Sequence, residues 1–144
     1  MRGKRLSEGN LSVLIVDDNQ DIRDLLTHIL EPRGFAIATA AEGYSALDQI
    51  EKKIPDLLLL DVMMPGLSGY EVVTMLRASS NPKIAHLPIL LITAKSQLAD
   101  LDTGLASGAT SYLIKPFRPA ALVEKIESIM SETLTSPAEV IREN

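Results

Sequence analysis

Short apolar runs alternate with segments of helical periodicity along most of this chain, and that alternation constrains the fold more than any other feature. Five runs have the length of a β-strand. Three of the five are almost continuously apolar, which is typical of parallel strands that helices cover on both faces. The runs are 11–16, 35–40, 56–60, 88–92 and 110–114.

The segments between these runs repeat their apolar residues with the spacing of amphipathic helices. The clearest stripe is Ile22, Leu25, Leu26, Ile29 and Leu30, which Gly34 closes. The last segment has a similar stripe from Leu122 to Met130, with Pro119 in its first turn. Further helices are predicted over 44–53, 69–78 and 97–107, the last being the fourth predicted helix.

Strict alternation of strand and helix predicts right-handed crossovers and an α/β fold. We expect a doubly wound, five-stranded parallel sheet of the flavodoxin-like (βα)5 type, with strand order 2-1-3-4-5. Ligands of such sheets bind at the carboxyl ends of the strands, at the point where the strand order reverses.

A chain of 144 residues is long enough for one domain with its own core. We assign the domain to 11–131, with 1–10 as an N-terminal extension. Residues 132–144 are interpreted as a tail or the start of a linker helix, because Ser136, Pro137 and Glu139 form a helix N-cap pattern.

Composition excludes several classes of protein. The chain has no cysteine, so it has neither disulfides nor thiolate metal sites. No apolar run approaches the length of a membrane span, and no secretion signal is recognisable, so we expect a cytoplasmic protein. A net charge of −5 without a dense basic cluster argues against direct nucleic-acid binding.

Polar residues stand where four of the predicted strands end. Asp17 and Asp18 follow the first strand, Asp61 the third, Thr93 the fourth and Lys115 the fifth. In the predicted order the first and third strands are neighbours, so three carboxylates crowd together. A hard divalent cation, magnesium above all, would relieve their repulsion. With Lys115 and the Thr93 hydroxyl beside it, such a site is suited to phosphoryl transfer.

Four motifs in this order resemble the receiver (REC) domains of two-component response regulators over roughly 11–130. They are VDDN, LLLLDVMMPGLSGYE, ILLITAKS and SYLIKPF. The resemblance implies that Asp61 accepts a phosphoryl group from the phosphohistidine of a sensor histidine kinase or a histidine phosphotransfer protein. It also implies that Asp17, Asp18, Asp61 and the Met63 backbone carbonyl bind Mg²⁺.

The same resemblance assigns roles to other residues. Thr93 and Lys115 contact the phosphoryl oxygens, and Tyr112 swings inward when Thr93 moves. The fourth predicted helix, fifth strand and fifth predicted helix then form the face that engages an output domain or partner. Such a domain is not an enzyme, since it catalyses only its own phosphorylation and dephosphorylation. We expect dephosphorylation to be slow, because Met63 and Lys95 at the pocket mouth carry no group that activates water.

Other interpretations remain for these positions. One aspartate of the pair could cap a helix, Asp61 could be a turn residue before Pro65, and Thr93 and Lys115 could be polar strand ends. Among whole functions, the acid pair argues against a flavodoxin that binds a flavin phosphate. An aspartyl phosphatase usually carries a second acid where Met63 stands. A receiver-like interaction module without phosphorylation would lack one or more site residues.

Overall fold

The structure is a computed structural model that describes residues 10–94 and 108–134. The helix predicted over 97–107 lies outside these residues. So do Lys95, residues 1–9 of the predicted extension, and the N-cap pattern that begins at Ser136.

Five parallel strands of the described chain form a sheet in the order β2-β1-β3-β4-β5, which confirms the predicted doubly wound fold. The register places Val16 opposite Leu60, Asp61 opposite Ile92, and Ala94 opposite Lys115. The strands are β1 (Ser12–Val16), β2 (Ala36–Ala40), β3 (Leu57–Asp61), β4 (Ile89–Ala94) and β5 (Ser111–Lys115).

Helices connect the strands and cover both faces of the sheet. The described helices are α1 (Gln20–Leu30), α2 (Gly43–Lys52), α3 (Gly69–Arg77), α4 (Pro82–Ala85) and α5 (Pro119–Leu134). A 3₁₀ turn follows α1, and Gly34 then takes a left-handed conformation with φ 97°, so it ends the helical segment as predicted. The helix α5 runs three residues past the assigned boundary at 131.

The short helix α4 was not predicted. Asn81 caps it by accepting a hydrogen bond from the Lys83 backbone N–H, and Pro82 occupies its first turn. A helix of four residues is too short to show an apolar period, so only its cap and its proline could have revealed it.

The core has two layers, one on each face of the sheet. On the α2–α3 face, Leu14, Leu58 and Leu91 pack against buried residues of those helices. On the α1–α5 face, Ile15, Leu59 and Ile92 do the same. Because side chains alternate along a strand, this pattern also fixes the face on which each residue at a strand end lies.

Candidate functional site

Asp17 and Asp61 lie side by side at the carboxyl edge of the sheet. Val16 of β1 pairs with Leu60 of β3, so the residues that follow them, Asp17 and Asp61, lie next to each other. Both carboxylates are buried, with 3% and 6% of the residue exposed. One carboxylate oxygen from each of Asp17, Asp18 and Asp61 lies within 4.8 Å of the other two. The three predicted acids therefore form one cluster.

The loop after β1 fixes the orientation of Asp17. The Asn19 backbone N–H donates to Asp17 Oδ1 at 2.9 Å. The Asn19 side chain in turn accepts hydrogen bonds from the backbone N–H groups of Asp21 and Ile22, at 2.8 and 3.2 Å. Asn19 is therefore the N-cap of α1. The alternative in which an aspartate of the pair caps the helix is wrong.

Lys115 joins the cluster from the end of β5. Its Nζ lies 3.2 Å from Asp61 Oδ1 and 3.7 Å from Asp17 Oδ2. The peptide bond that follows, to Pro116, is cis. When all four side chains are ionised, three negative charges face one positive charge, which leaves an excess that a divalent cation would neutralise.

Burial raises the pKa of the Asp61 carboxyl above its ordinary value of 3.8. The neighbouring Asp17 carboxylate raises this pKa further, whereas Lys115 lowers it through its charge and hydrogen bond. The net direction is upward, so Asp61 is held in surroundings that disfavour its negative charge.

The chain after Asp61 forms a closed loop against the end of β3. The Val62 backbone N–H donates to Ile92 O at 3.1 Å, and the Gly69 N–H donates to Val62 O at 2.9 Å. A Cβ atom at Gly69 would lie 2.6 Å from the Asp61 carbonyl oxygen, which explains the glycine. The first turn of α3 therefore packs directly on the Asp61 peptide.

The acid cluster opens into a cavity of about 460 Å³. Met63 lies at its mouth with 65% of the residue exposed. The cavity is lined by Asp17, Asp18, Asn19, Ile22, Asp61, Met63, Ala94 and Lys115. Sequence reasoning missed three of these residues, namely Asn19, Ile22 and Ala94. The position of Asn19 just before an acidic first helical turn was a usable N-cap signal.

Thr93 and Tyr112 lie on the opposite face of the sheet from the acid cluster. Thr93 alternates with Leu91 on the α2–α3 face, and Tyr112 packs against the core of that face. Asp61 alternates with Leu59 on the α1–α5 face. Thr93 is fully buried, and Ala94 rather than Thr93 lines the cavity. The contact of Thr93 with a phosphoryl oxygen stays a prediction.

The donor set fits magnesium, because carboxylate oxygens are the ligands that this hard cation prefers. The cluster also places a carboxylate beside an ammonium group, an arrangement that could serve phosphoryl transfer to an acid. None of the helices in the described part of the chain is long and apolar enough to cross a membrane.

Comparison with known proteins identifies relatives of this chain. A family model described as the response regulator receiver domain matches residues 13–127. The chain is 38% identical over 129 residues to the DNA-binding response regulator MtrA of Mycolicibacterium paratuberculosis, covering 90% of this chain and 55% of that protein. It is 39% identical over 132 residues to the transcriptional regulatory protein PrrA of Mycobacterium bovis, with the same coverage.

Solved structures also resemble this chain. The chemotaxis protein CheY4 of Vibrio cholerae superposes with a TM-score of 0.78 at 35% identity, covering 84% of this chain and 99% of that one. The chain thus spans about half the length of the curated relatives that it matches, but nearly all of this solved structure.

Proposed function

The chain belongs to the response regulator receiver domain family, and from that membership we propose that Asp61 is its sole phosphorylation site. The phosphoryl donor is the phosphohistidine of a sensor histidine kinase or of a histidine phosphotransfer protein. Family membership implies a histidine kinase as partner, and we place the encounter in the cytoplasm.

The observation that carries the proposal is the contact of 3.2 Å between Lys115 Nζ and Asp61 Oδ1 inside a cluster of three carboxylates. In the transfer, Asp61 Oδ forms a bond to phosphorus while the bond from phosphorus to the donor imidazole nitrogen breaks, and the electron pair stays on the imidazole. Lys115 is placed to stabilise negative charge on the transferring oxygens.

Asp17, Asp18, Asp61 and the Met63 backbone carbonyl are the residues that would hold magnesium. When bound, magnesium supplies positive charge that offsets part of the negative charge of the three carboxylates and the incoming phosphoryl oxygens. The buried Asp17 contributes a carboxylate that Asn19 already orients, and the exposed Asp18 contributes a second one at the cavity surface.

We propose that phosphorylation shifts an existing equilibrium on the face formed by the helix predicted over 97–107, β5 and α5. Thr93 moves toward the phosphoryl group and Tyr112 fills the space that it leaves. Two observations support this pairing. Both residues lie on the same face of adjacent strands, and the Tyr112 ring is only partly buried, with Lys125 Nζ 5.8 Å from its centroid.

The domain acts as a signalling element and promotes only its own phosphorylation and slow dephosphorylation. Met63, exposed at the cavity mouth, has no group that could activate a water molecule. Lys95, the other predicted residue at the mouth, lies outside the described residues. MtrA is a DNA-binding response regulator, and an output domain or partner engaging the same face is part of this proposal.

The test is phosphotransfer of labelled phosphate, from acetyl phosphate or a histidine kinase, in the presence of magnesium. Asp61→Asn should abolish labelling, because the amide is a poor nucleophile. The matched control is Asp24→Asn, which removes an exposed carboxylate of α1 that does not line the cavity. Equal labelling of the wild type and Asp61→Asn would refute the assignment. Turnover of a phosphate ester would favour a phosphatase instead.

A further inference from the structure

Arg23, in the second turn of α1, reaches back to the end of β1. Its Nη1 donates to the Asp17 backbone carbonyl at 2.7 Å, a short hydrogen bond from a charged donor. The Arg23 backbone N–H also donates to Asn19 O, the hydrogen bond that closes the first turn of α1. The side chain is partly buried and does not line the cavity.

With this contact, both the backbone and the side chain of Asp17 are held. The Asp17 N–H donates to Ala40 O at 3.2 Å, and the carbonyl accepts from Arg23. The carboxylate accepts from the Asn19 N–H through Oδ1, while Oδ2 lies 3.7 Å from Lys115. Arg23 thus ties α1 to the peptide between the two clustered aspartates.

We propose that Arg23 is a positioning residue for the cation site: it holds Asp17 and Asp18 against Asp61 before a cation binds. The inference rests on the proposed function, since it concerns the same site. Without the hydrogen bond, binding of a cation would have to order this loop, and the affinity would fall. Loss of such outer contacts typically weakens metal binding by about 10-fold or more.

The direction in which magnesium affinity changes when Arg23 is replaced distinguishes a positioning role from a purely electrostatic one. A positive charge near three carboxylates repels a divalent cation, so an arginine that acted only through its charge would weaken magnesium binding. Its removal would then strengthen binding, most of all at low salt. A positioning role predicts the opposite change, because the order of the loop is lost with the hydrogen bond.

The experiment compares magnesium titrations by calorimetry for the wild type, Arg23→Lys and Arg23→Gln, at low and high salt. Arg23→Lys keeps the positive charge and a hydrogen-bond donor, whereas Arg23→Gln removes the charge and shortens the side chain. Arg33→Gln is the matched control, since Arg33 is exposed beyond the far end of α1. We expect binding to weaken about 10-fold in Arg23→Gln, to recover at least partly in Arg23→Lys, and to stay unchanged in Arg33→Gln.

Amide hydrogen exchange without magnesium gives a second readout. The Asn19 amide, which donates to Asp17 Oδ1, should exchange faster in Arg23→Gln than in the wild type, while core amides of β3 keep their protection. Equal or tighter magnesium binding by Arg23→Gln would overturn the proposal. If the wild type binds no magnesium, the proposed function fails, and the Asn19 exchange rate alone still decides whether Arg23 orders the loop.

Discussion

The strand β3 has an aspartate at each end, and the two carboxylates are held in opposite ways. Asp56, just before the strand, accepts two hydrogen bonds from Ser12 through Oδ2, at 2.8 Å from the backbone N–H and 3.2 Å from Oγ. Asp61, the last residue of the strand, faces two other carboxylates and one ammonium group.

The difference separates an acid that stabilises the sheet from the acid of the proposed phosphorylation site. Asp56 returns a hydrogen bond from its own N–H to Ser12 Oγ at 3.1 Å, so the two residues tie β1 to β3 reciprocally. Asp61 is buried among like charges, an arrangement that costs stability and that an added positive charge would relieve. One end of β3 reinforces the sheet, and the other carries the acid cluster of the proposed cation and phosphoryl site.

Magnesium affinity should distinguish the two ends most strongly. We expect Asp18→Asn to weaken binding at least about 30-fold, since losing a unit charge some 4 Å from a divalent cation costs about 2 kcal/mol even in water. Asp56→Asn, at the opposite edge of the sheet, should leave the affinity unchanged. Calorimetric titration measures both. An unaltered affinity in Asp18→Asn would place the cation elsewhere.

Global stability should distinguish the two ends in the reverse sense. Asp56→Ala removes the acceptor of two hydrogen bonds and leaves the Ser12 N–H to find another partner, so we expect a loss of about 1–2 kcal/mol in the free energy of unfolding. Ser12→Ala, which keeps the backbone hydrogen bond, should cost less. Urea denaturation gives both values. If Asp56→Ala were as stable as the wild type, the Ser12 contacts would not reinforce the sheet.

The sequence was sufficient for the central part of the fold and for the charged residues of the candidate site. The central strands β1, β3 and β4 are buried on both faces, so their apolar runs were unambiguous. Placing Asp17, Asp61 and Lys115 at one edge needed only the strand order, because parallel strands end together.

Features that depend on three-dimensional packing were not predicted. The hydrogen bond from Arg23 to the Asp17 carbonyl joins a side chain to a backbone atom, and no residue pattern predicts it. The separation of Thr93 from Asp61 depends on the residue at which each strand ends, since a shift of one residue exchanges the faces. The raised pKa of Asp61 depends on burial, which the sequence motif does not measure.

The lifetime of the phosphoryl group should depend on the open end of β3. Met63 covers the cavity mouth with an apolar side chain that cannot hydrogen-bond an attacking water. We expect decay over minutes or longer in the wild type, with Met63→Asn about threefold faster because its amide helps to place the water. The measurement is loss of label after removal of the donor. Met75→Asn, an exposed methionine of α3, is the control. Decay within seconds in the wild type would contradict the prediction.

The smallest expected effect concerns the stability of the magnesium-free protein. Because the folded state raises the pKa of Asp61, the folded protein binds the Asp61 proton more tightly than the unfolded chain does. The contribution of this group to stability is therefore full below the ordinary pKa of 3.8 and is lost as the pH rises through the folded-state pKa. Above the folded-state pKa, an uncharged isostere should fold more stably than the ionised aspartate.

Asp61→Asn without magnesium should accordingly raise the melting temperature at pH 7. The gain should shrink as the pH falls toward 3.8, where the wild-type carboxyl is itself protonated. Asp56→Asn should give no such gain, because its carboxylate is held by donors rather than by like charges. Saturating magnesium should reverse the order, since only the wild type then has its full set of carboxylates. A melting temperature of Asp61→Asn at or below that of the metal-free wild type at pH 7 would mean that Lys115 already compensates the buried charge. The two ends of β3 would then differ in their neighbours but not in their energetics.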